Sequence, residues 1–379
     1  MTGRVDVGHD GWVNPAAAPA YTRQPLLATI ALLSTLLLAA VLLVMPTGYT
    51  VGSPGPTADT LGTVTGTVNG IPTEIPLVTI SGAPTYDASG QLRLTTMSRI
   101  GGPGSSVFPM DVIRAWPSSQ HTVLPTAAVI PQGVTREEQR EQAAVQMATS
   151  QEVATAAALT LLGVDYASVL RIAGPVEGSN AQGVVEEGDQ LVSLNGVDVS
   201  SHADLIDLLE QITPGSQAQL GVIRGGQQIT LTFETGEAVA DDGSSRAALG
   251  IWVGEAFTFP IDVTIRIDDI GGPSAGVMFA LAIMDLLTPD DVLQGAVVAG
   301  TGSITADGAV LPVGGVRQKM YGSVRDGAQY FLVPWHNCGD VIGHTPDGLR
   351  VVPVGTLADA FDAITAIGQG SADSLPVCG

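Results

Sequence analysis

The chain is 379 residues long, and its formal net charge is −22, from 15 basic and 37 acidic residues. This balance argues against a nucleic-acid partner, because binding to phosphates requires clustered Lys and Arg. Hydrophobic residues make up 45% of the chain. That is enough to form a sizeable core in two or three folded units.

An uncharged, mostly apolar run lies near the N-terminus, at residues 26–45. A helix of about 20 apolar residues spans the hydrocarbon core of a bilayer. Arg4 and Arg23 precede the run, so the positive-inside rule predicts that residues 1–25 form a short cytoplasmic tail. The remainder would then lie outside the cytoplasm, in a single-pass protein of the cell membrane. A cleaved signal peptide is the alternative, although its apolar core is usually shorter, about 7–15 residues.

Only one of the 15 basic residues is a lysine, Lys319. Arginine can replace lysine as a solvated cation, but it stays protonated in proteins and cannot accept a proton. A single lysine in a chain that otherwise uses arginine therefore indicates a position where base chemistry is needed. The alternative is a surface lysine that remains by chance.

The two cysteines, Cys338 and Cys378, lack the CxxC spacing and the clustered histidines of a zinc site. We therefore expect no metal and no other cofactor. In an oxidising compartment, a disulfide that ties the C-terminal tail to the folded body is the simplest interpretation. Two unrelated free thiols are the alternative.

Strand-like and helical patterns alternate before residue 164. Residues 63–100 have the alternation of β-strands, bounded by Gly, Pro, Asn and Asp, and residues 101–134 are irregular and rich in Pro and Gly. Residues 135–162 are helical in character. Thr135 and Glu138 form a capping-box signature, and an Ala-rich stretch follows.

Residues 164–238 form a distinct unit with a strand, a turn, a helix near 202–211 and a hairpin around Arg224. The turn EEGDQLVSLNG and the later VIRGGQ resemble a PDZ domain of the bacterial periplasmic-protease type. The resemblance implies binding of a peptide as an added strand at a sheet edge. The loop that would hold a terminal carboxylate is not recognisable, and a generic small β-rich domain is the alternative.

The motif GGPSAG at residues 271–276 leads directly into the apolar run 277–284. This run is too short to span a membrane and is apolar on all sides, which predicts a buried helix. Ser274 would then lie at its first turn, where free backbone N–H groups favour a developing oxyanion. The backbone of the flanking residues would form this oxyanion site: Gly272, Pro273 and Ala275. The alternative is an ordinary N-cap serine.

A second motif predicts a helix over residues 316–326 with Lys319 at the border of its apolar stripe. A serine nucleophile needs a base within hydrogen-bond reach, and no histidine lies in either motif. Lysine can be that base only when it is neutral, which requires a pKa near ~7–8 instead of ~10.4. We therefore expect Lys319 to be buried, with no carboxylate beside it.

GGPSAG, followed 45 positions after its serine by the lysine of GTGSITADGAVLPVGGVRQKMYGSVRDGAQYFLVP, resembles the Lon-type proteolytic domain. The resemblance implies that Ser274 is the nucleophile, that Lys319 is the general base, and that Thr301 neighbours this Ser–Lys dyad and orients the amine. Gly271 departs from the family, because many Lon sequences have an acidic residue there. No G-x-x-x-x-G-K-[ST] motif occurs, so we expect an ATP-independent peptidase acting on exposed tails or unfolded segments.

The segment LVTISGAPTYDASGQLRLTTM and the helix that follows resemble the opening of the same domain, which implies an α+β Lon-type domain with an inserted PDZ-like domain. Anchor, PDZ-like unit and peptidase together resemble the PDZ-containing Lon-like proteases of Gram-positive bacteria. Homo-oligomers are possible in this family. The predicted segments are a tail at 1–25, a transmembrane helix at 26–45, a linker at 46–62, the two peptidase parts at 63–163 and 245–367, the PDZ-like domain at 164–238 and a disulfide-tied tail at 368–379.

Two other functions fit parts of the sequence. Residues 272–276 also match G-x-S-x-G, the nucleophile turn of α/β-hydrolases, with Asp307 and His336 or His344 as nominal partners. Against an esterase, no HGGG-type oxyanion motif precedes the serine. The non-enzymatic alternative is a membrane-bound PDZ scaffold with an inactive peptidase fold.

Overall fold

The computed structural model describes residues 3, 24–68, 71–131, 133–239, 245–267 and 270–378. The helices in chain order are α1 Gln24–Val44, α2 Pro109–Ala115, α3 Thr126–Val129, α4 Arg136–Leu161, α5 His202–Glu210, α6 Gly276–Leu287, α7 Val316–Arg325, α8 Cys338–Val341 and α9 Leu357–Gly368. Short 3₁₀ turns occur at Trp335–Asn337 and Ala372–Ser374.

The strands alternate with these helices and form two larger sheets and several hairpins. In chain order they are β1 Tyr49–Asp59, β2 Thr63–Val68, β3 Ile71–Pro76, β4 Val78–Ser81, β5 Gln91–Ile100, β6 Thr122–Pro125, β7 Ala167–Pro175, β8 Gln190–Leu194, β9 Val197–Asp198, β10 Gln217–Arg224, β11 Gln227–Glu234, β12 Gly236–Val239, β13 Ser245–Ala248, β14 Ile251–Thr258, β15 Asp262–Ile265, β16 Val297–Gly300, β17 Ser303–Ile304, β18 Val310–Leu311, β19 Tyr330–Pro334 and β20 Arg350–Val354.

The apolar run near the N-terminus is helical, as predicted. The stretch Leu27–Val44 of α1 is long and apolar enough to cross a membrane, and its side chains are exposed. Of the predicted cytoplasmic tail, residues 1–2 and 4–23 lie outside the described residues, and these include Arg4 and Arg23.

The first sheet has the strand order β20-β19-β16-β5-β1-β6 within the described part of the chain. Strands β20, β19, β16 and β5 are parallel, whereas β1 runs antiparallel to both β5 and β6. The sheet therefore joins strands from residues 49–125 with strands from residues 297–354, and the PDZ-like segment lies between them in sequence. The domain boundaries themselves remain a prediction.

The predicted linker at 46–62 is wrong, because this stretch contains β1, an inner strand of the first sheet. Pro54 and Pro56 suggested a loop because proline cannot donate to a strand ladder. They are tolerated since the register with β5 shifts between Pro54 and Thr57, which is a bulge where ladder bonds are interrupted. The stretch 101–134, predicted to be irregular, contains α2, β6 and α3.

Helices cover both faces of the first sheet. On β19, Leu332 contacts the core formed with α4, α6 and α9, whereas Phe331 and Val333 contact the core on the α7 side. Strands buried on both faces have continuous hydrophobic runs, as in Tyr330–Pro334. This layering brings α6 and α7, the helices that follow Ser274 and carry Lys319, to the same sheet.

The second sheet has the order β11-β10-β8-β7-β14, and β9 pairs with β8, within the described residues. Together with α5 it encloses a separate hydrophobic core. Residues 245–258 fall within the predicted C-terminal peptidase part, 245–367, but β14 pairs along its length with β7 of the second sheet. The reason is that Ile251 and Val253 contact this second core. The chain enters and leaves the sheet at one place, because Thr258 lies opposite Ala167.

Cys338 and Cys378 form a disulfide with an S–S distance of 2.06 Å. The bond attaches the tail that follows α9 to α8, as predicted. Cys378 also packs against the core on the α7 side of the sheet, so the tail is part of the folded body.

Candidate active site

The apolar run forms α6, as predicted, but Ser274 lies two residues before this helix and not in its first turn, because the helix begins at Gly276 after the N-cap residue Ala275. Every side chain in the stretch Gly276–Asp285 is buried, so the helix is a fixed core element. Glycine is required at its first position, because a Cβ on Gly276 would lie 2.9 Å from Ile304 Cγ2 and 3.2 Å from Ser150 Oγ. The nucleophile candidate is therefore held at a helix start that cannot shift easily.

The loop that carries Ser274 is attached to α4. The Gly272 N–H donates to the Ala143 carbonyl at 3.1 Å, and the Ser150 hydroxyl donates to the Pro273 carbonyl at 3.1 Å. A Cβ on Gly271 would lie 2.6 Å from Ala143 Cβ. This contact explains the departure at Gly271, since an acidic side chain has no room at that position.

Lys319 lies in the first turns of α7, and its side chain points into the protein. The helix starts after Gly315, whose φ of 74° is in the left-handed region, and a Cβ there would collide with Met97 Sδ. Lys319 is 3% exposed. Its Nζ lies 2.8 Å from Ser274 Oγ and 2.9 Å from Thr301 Oγ1.

Thr301 follows β16 and is fully buried. Its hydroxyl contacts the Lys319 amine and also donates to the Ser274 carbonyl at 3.0 Å. The Gly302 N–H donates to the same carbonyl at 2.9 Å. One side chain therefore links the amine to the backbone of the serine.

Burial lowers the pKa of Lys319 to about 8 from its ordinary value of 10.5, because desolvation penalises the ammonium form. Among the residues that the structure describes, no Asp or Glu forms an ion pair with this amine. A neighbouring carboxylate would raise the pKa instead. The environment thus favours the neutral amine that a general base requires.

The three predicted backbone positions differ in what they can donate. The Gly272 N–H is bound to Ala143, and Pro273 has no N–H. Within the described residues, the N–H groups of Ser274 and Ala275 donate no hydrogen bond. Only Ala275 of the predicted set, together with Ser274 itself, is therefore available to an oxyanion.

A cleft of about 420 Å³ opens onto the Ser274 and Lys319 side chains. Its walls include Met97, Met147, Ile270 and Gly272. A second cleft of about 450 Å³ adjoins it and shares Met97 and Gly314. The two together provide an extended, mixed apolar and polar surface on either side of Met97.

The partners of a hydrolase triad do not meet the serine. Asp307 accepts a bond from Thr305 and His336 stacks on Trp335, while His344 contacts the Ile342 carbonyl. In the described chain, the Ser274 hydroxyl bonds to Lys319 only.

Within the residues that the structure describes, no group of three or more His, Cys, Asp or Glu could hold a metal ion.

Sequence reasoning missed the contribution of α4. Ala143 and Ser150 hold the nucleophile loop, but they lie more than 120 positions before it. An alanine and a serine in an Ala-rich helix carry no local signal of such a role.

Comparisons with known proteins agree with this architecture. Residues 267–365 match the Lon protease (S16) C-terminal proteolytic domain, and residues 161–235 match the PDZ domain family. The Lon protease of Azospirillum brasilense is 40% identical over 94 residues, which cover 24% of this chain and 11% of that protein. The Lon protease of Chloroflexus aggregans is 28% identical over 215 residues, or 52% of this chain and 24% of that protein.

The solved PDZ domain of the SdrC-like protein from Listeria innocua has 18% sequence identity and a TM-score of 0.20, and the match covers 22% of this chain and 92% of that one. The chain spans between about a tenth and a quarter of the length of the Lon proteases named above. The chain therefore contains a Lon-type (S16) C-terminal proteolytic domain and a PDZ domain, in a mixed α+β fold that also has one N-terminal apolar helix.

Proposed function

We propose that this chain is an ATP-independent serine endopeptidase in which Ser274 is the nucleophile and Lys319 the general base. The observation that carries the proposal is the 2.8 Å separation of Lys319 Nζ and Ser274 Oγ at the wall of an open cleft. Serine is a weak nucleophile unless a base lies within hydrogen-bond reach. The desolvated amine of Lys319 is a base of suitable strength near neutral pH.

The reaction follows from this geometry. Ser274 Oγ attacks the substrate carbonyl carbon while its proton passes to Lys319 Nζ, and the oxyanion accepts bonds from the Ser274 and Ala275 N–H groups. The Lys319 ammonium then protonates the leaving amine, and the peptide bond breaks to leave an ester on Ser274. Lys319 next takes a proton from the water that attacks the ester carbonyl. The Lys319 ammonium then returns that proton to Ser274 Oγ as the C–O bond breaks and the acid product departs.

Activity should rise with pH through the pKa of Lys319. The reactive form is the neutral amine, and that pKa is about 8. Below this value kcat/KM should fall about tenfold per pH unit, because the base is increasingly protonated. A pH profile of peptide cleavage measures this limb. An activity that does not change until pH reaches the ordinary range of lysine would contradict a buried base.

The second sheet supplies a place for substrate recognition, since PDZ domains bind a peptide as an added strand. Within the described residues β14 is an end strand of this sheet. Helix α5 contacts β13, the strand that precedes β14 in the chain. The His202 N–H at the start of α5 donates to Glu255 of β14 at 3.1 Å. We propose that exposed tails or unfolded segments of polypeptides bind here before cleavage.

The PDZ unit can be tested by excision, because Ala167 and Thr258 are paired across the sheet entrance. Replacing residues 168–257 with a two-glycine connection should leave cleavage of a short peptide within about twofold, since Ser274 and Lys319 lie outside the excised segment. Cleavage of an unfolded protein substrate should fall by ~10-fold or more, as expected when tethering to a second site is lost. Initial rates on both substrates measure the difference, and equal losses would show that the unit is structural.

We also propose that α1 anchors the chain in the cell membrane, with the folded part extracytoplasmic. The length and apolar surface of α1 support this proposal. The Cys338–Cys378 disulfide supports an oxidising location. The substrates would then be extracytoplasmic or membrane-protein polypeptides.

A serine-directed covalent probe tests the central claim. The full chain is treated with a fluorophosphonate and digested, and the labelled residue is identified by mass spectrometry. We expect label on Ser274, with a rate that follows the same pH profile as cleavage. Absence of label, with the protein folded, would favour a membrane-bound PDZ scaffold whose peptidase fold is inactive.

A further inference from the structure

Four large apolar side chains are exposed around the short helix α2. Phe108 is 39% exposed, Met110 40%, Ile113 58% and Trp116 72%. We call these four residues the α2 apolar face. Isolated exposed apolar side chains are common, but four large ones within nine residues are typical of an interaction surface.

The burial of α2 in the fold does not involve this face. Val112 and Ala115 point inward and pack in a small core with Val51 and Val107. The helix is thus held in place by its inner side chains, whereas none of the four outer residues belongs to this core. Their exposure requires a separate explanation.

The α2 apolar face lies at the end of α1. Thr47, three residues after α1, donates from its N–H and its hydroxyl to the Val107 carbonyl, at 2.8 and 2.9 Å. Val107 directly precedes Phe108, and α1 and α2 are in contact. Tyr49, which is also exposed, starts β1 beside them. The face therefore continues the apolar surface of α1 where the chain leaves that helix.

The composition of the face suits the boundary between lipid headgroups and acyl chains. Tyr and Trp are enriched at this depth because one part of each ring system is apolar and another is polar. Arg114, on the exposed side of α2, can reach lipid phosphates. The Asp111 carboxylate accepts the Phe108 N–H at 2.9 Å, which offsets part of its desolvation cost. A bilayer therefore fits this surface better than an aqueous protein partner does.

We propose that the α2 apolar face inserts into the headgroup region of the same bilayer that α1 spans, which gives the folded part a second membrane contact. The inference rests on the proposed role of α1 as an anchor. It also places the catalytic cleft close to the membrane surface. Val51, which packs under α2, pairs with Ile100 of β5, and β5 leads from Ile100 back to Met97 in the cleft wall. At about 3.3 Å per residue, Met97 lies ~10 Å along the strand from Ile100.

Quenching by brominated lipids tests the insertion. The full chain is reconstituted at less than one copy per vesicle and recovered by flotation. Tryptophan emission is then compared between vesicles with and without lipid brominated near the headgroup end of the acyl chain. We expect part of the emission to be lost, and Trp116→Phe should remove most of that loss. Trp252→Phe is the matched control, since Trp252 is 65% exposed on the second sheet, and it should leave the loss unchanged.

The outcomes separate the two proposals. Flotation with quenching that depends on Trp116 supports the insertion. Flotation with equal quenching in both variants overturns the α2 contact and leaves the α1 anchor intact. A change in Trp116 emission with protein concentration, and none with brominated lipid, also overturns it, because the α2 apolar face would then contact a second copy of the chain. Failure of the full chain to float overturns the anchor, and the α2 contact with it.

Discussion

Replacing Ser274 with alanine should reduce peptide cleavage by at least about 10⁴-fold, because the nucleophile is lost while the oxyanion donors and the cleft remain. The substitution removes one hydroxyl that bonds to Lys319 and leaves the loop bonds of Gly272 and Pro273 unchanged. The protein should therefore stay folded. Initial rates on a fluorogenic peptide and a thermal melt of the same sample measure both effects.

Lys319 requires two substitutions because of its burial. Arginine would place a permanent charge in a site where the lysine is 3% exposed, so Lys319→Arg removes the base but also carries a desolvation cost. Lys319→Met keeps an unbranched apolar stem without any charge. We expect loss of activity comparable to that of Ser274→Ala in both variants, with the melting temperature maintained in Lys319→Met.

Ser323→Ala provides the matched control. Ser323 is a fully buried serine of the same helix, and its hydroxyl donates to the Met320 carbonyl at 2.7 Å. Its removal should leave cleavage within about twofold, since alanine is a better helix former and no reacting atom is touched. If Lys319→Met retained activity while Ser274→Ala did not, another base would have to be found.

The helices around the site could be predicted because their signals are local. The Thr135 capping box starts α4, and continuous apolarity identifies α6. The α7 helix was predicted over residues 316–326 and ends at Arg325. Each of these depends on side chains within one or two turns, so the sequence window contains the whole cause.

The strand pairings could not be predicted in the same way. Residues 49–59 contain prolines that indicate a loop, and only the partners β5 and β6 make them a strand. Likewise β14 has alternation that fits either sheet, and its pairing with β7 decides the matter. A strand is defined by hydrogen bonds to distant residues, and local composition does not contain them.

The candidate site shows the same division. Ser274 and Lys319 were singled out because of their chemical types and their resemblance to a known motif, and the structure places them in contact. Their catalytic roles remain a proposal. The support from Ala143 and Ser150 depends on how α4 packs on the loop, which neither residue type indicates.

Thr301→Val should lower kcat by about 10²-fold while KM changes little. Valine has the shape of threonine but lacks the hydroxyl, which contacts the Lys319 amine at 2.9 Å and the Ser274 carbonyl at 3.0 Å. Loss of both bonds frees the amine to move relative to the serine, and small displacements of catalytic groups are costly. We treat Thr301 as a positioning residue, because no reaction step requires its hydroxyl to exchange a proton.

The pH profile distinguishes positioning from a general loss of structure. Desolvation already lowers the pKa of Lys319 to about 8. Valine places a methyl group where the Thr301 hydroxyl contacts the amine, so desolvation of the ammonium form increases and the pKa should fall further. The limb of the kcat/KM profile that depends on deprotonation should therefore move to lower pH in Thr301→Val. A variant that merely unfolds in part loses active protein at every pH and leaves the midpoint in place. Thr301→Ser retains the hydroxyl and should restore both the rate and the midpoint, whereas an unshifted midpoint in Thr301→Val would show that the contact with the amine has no role in setting its basicity.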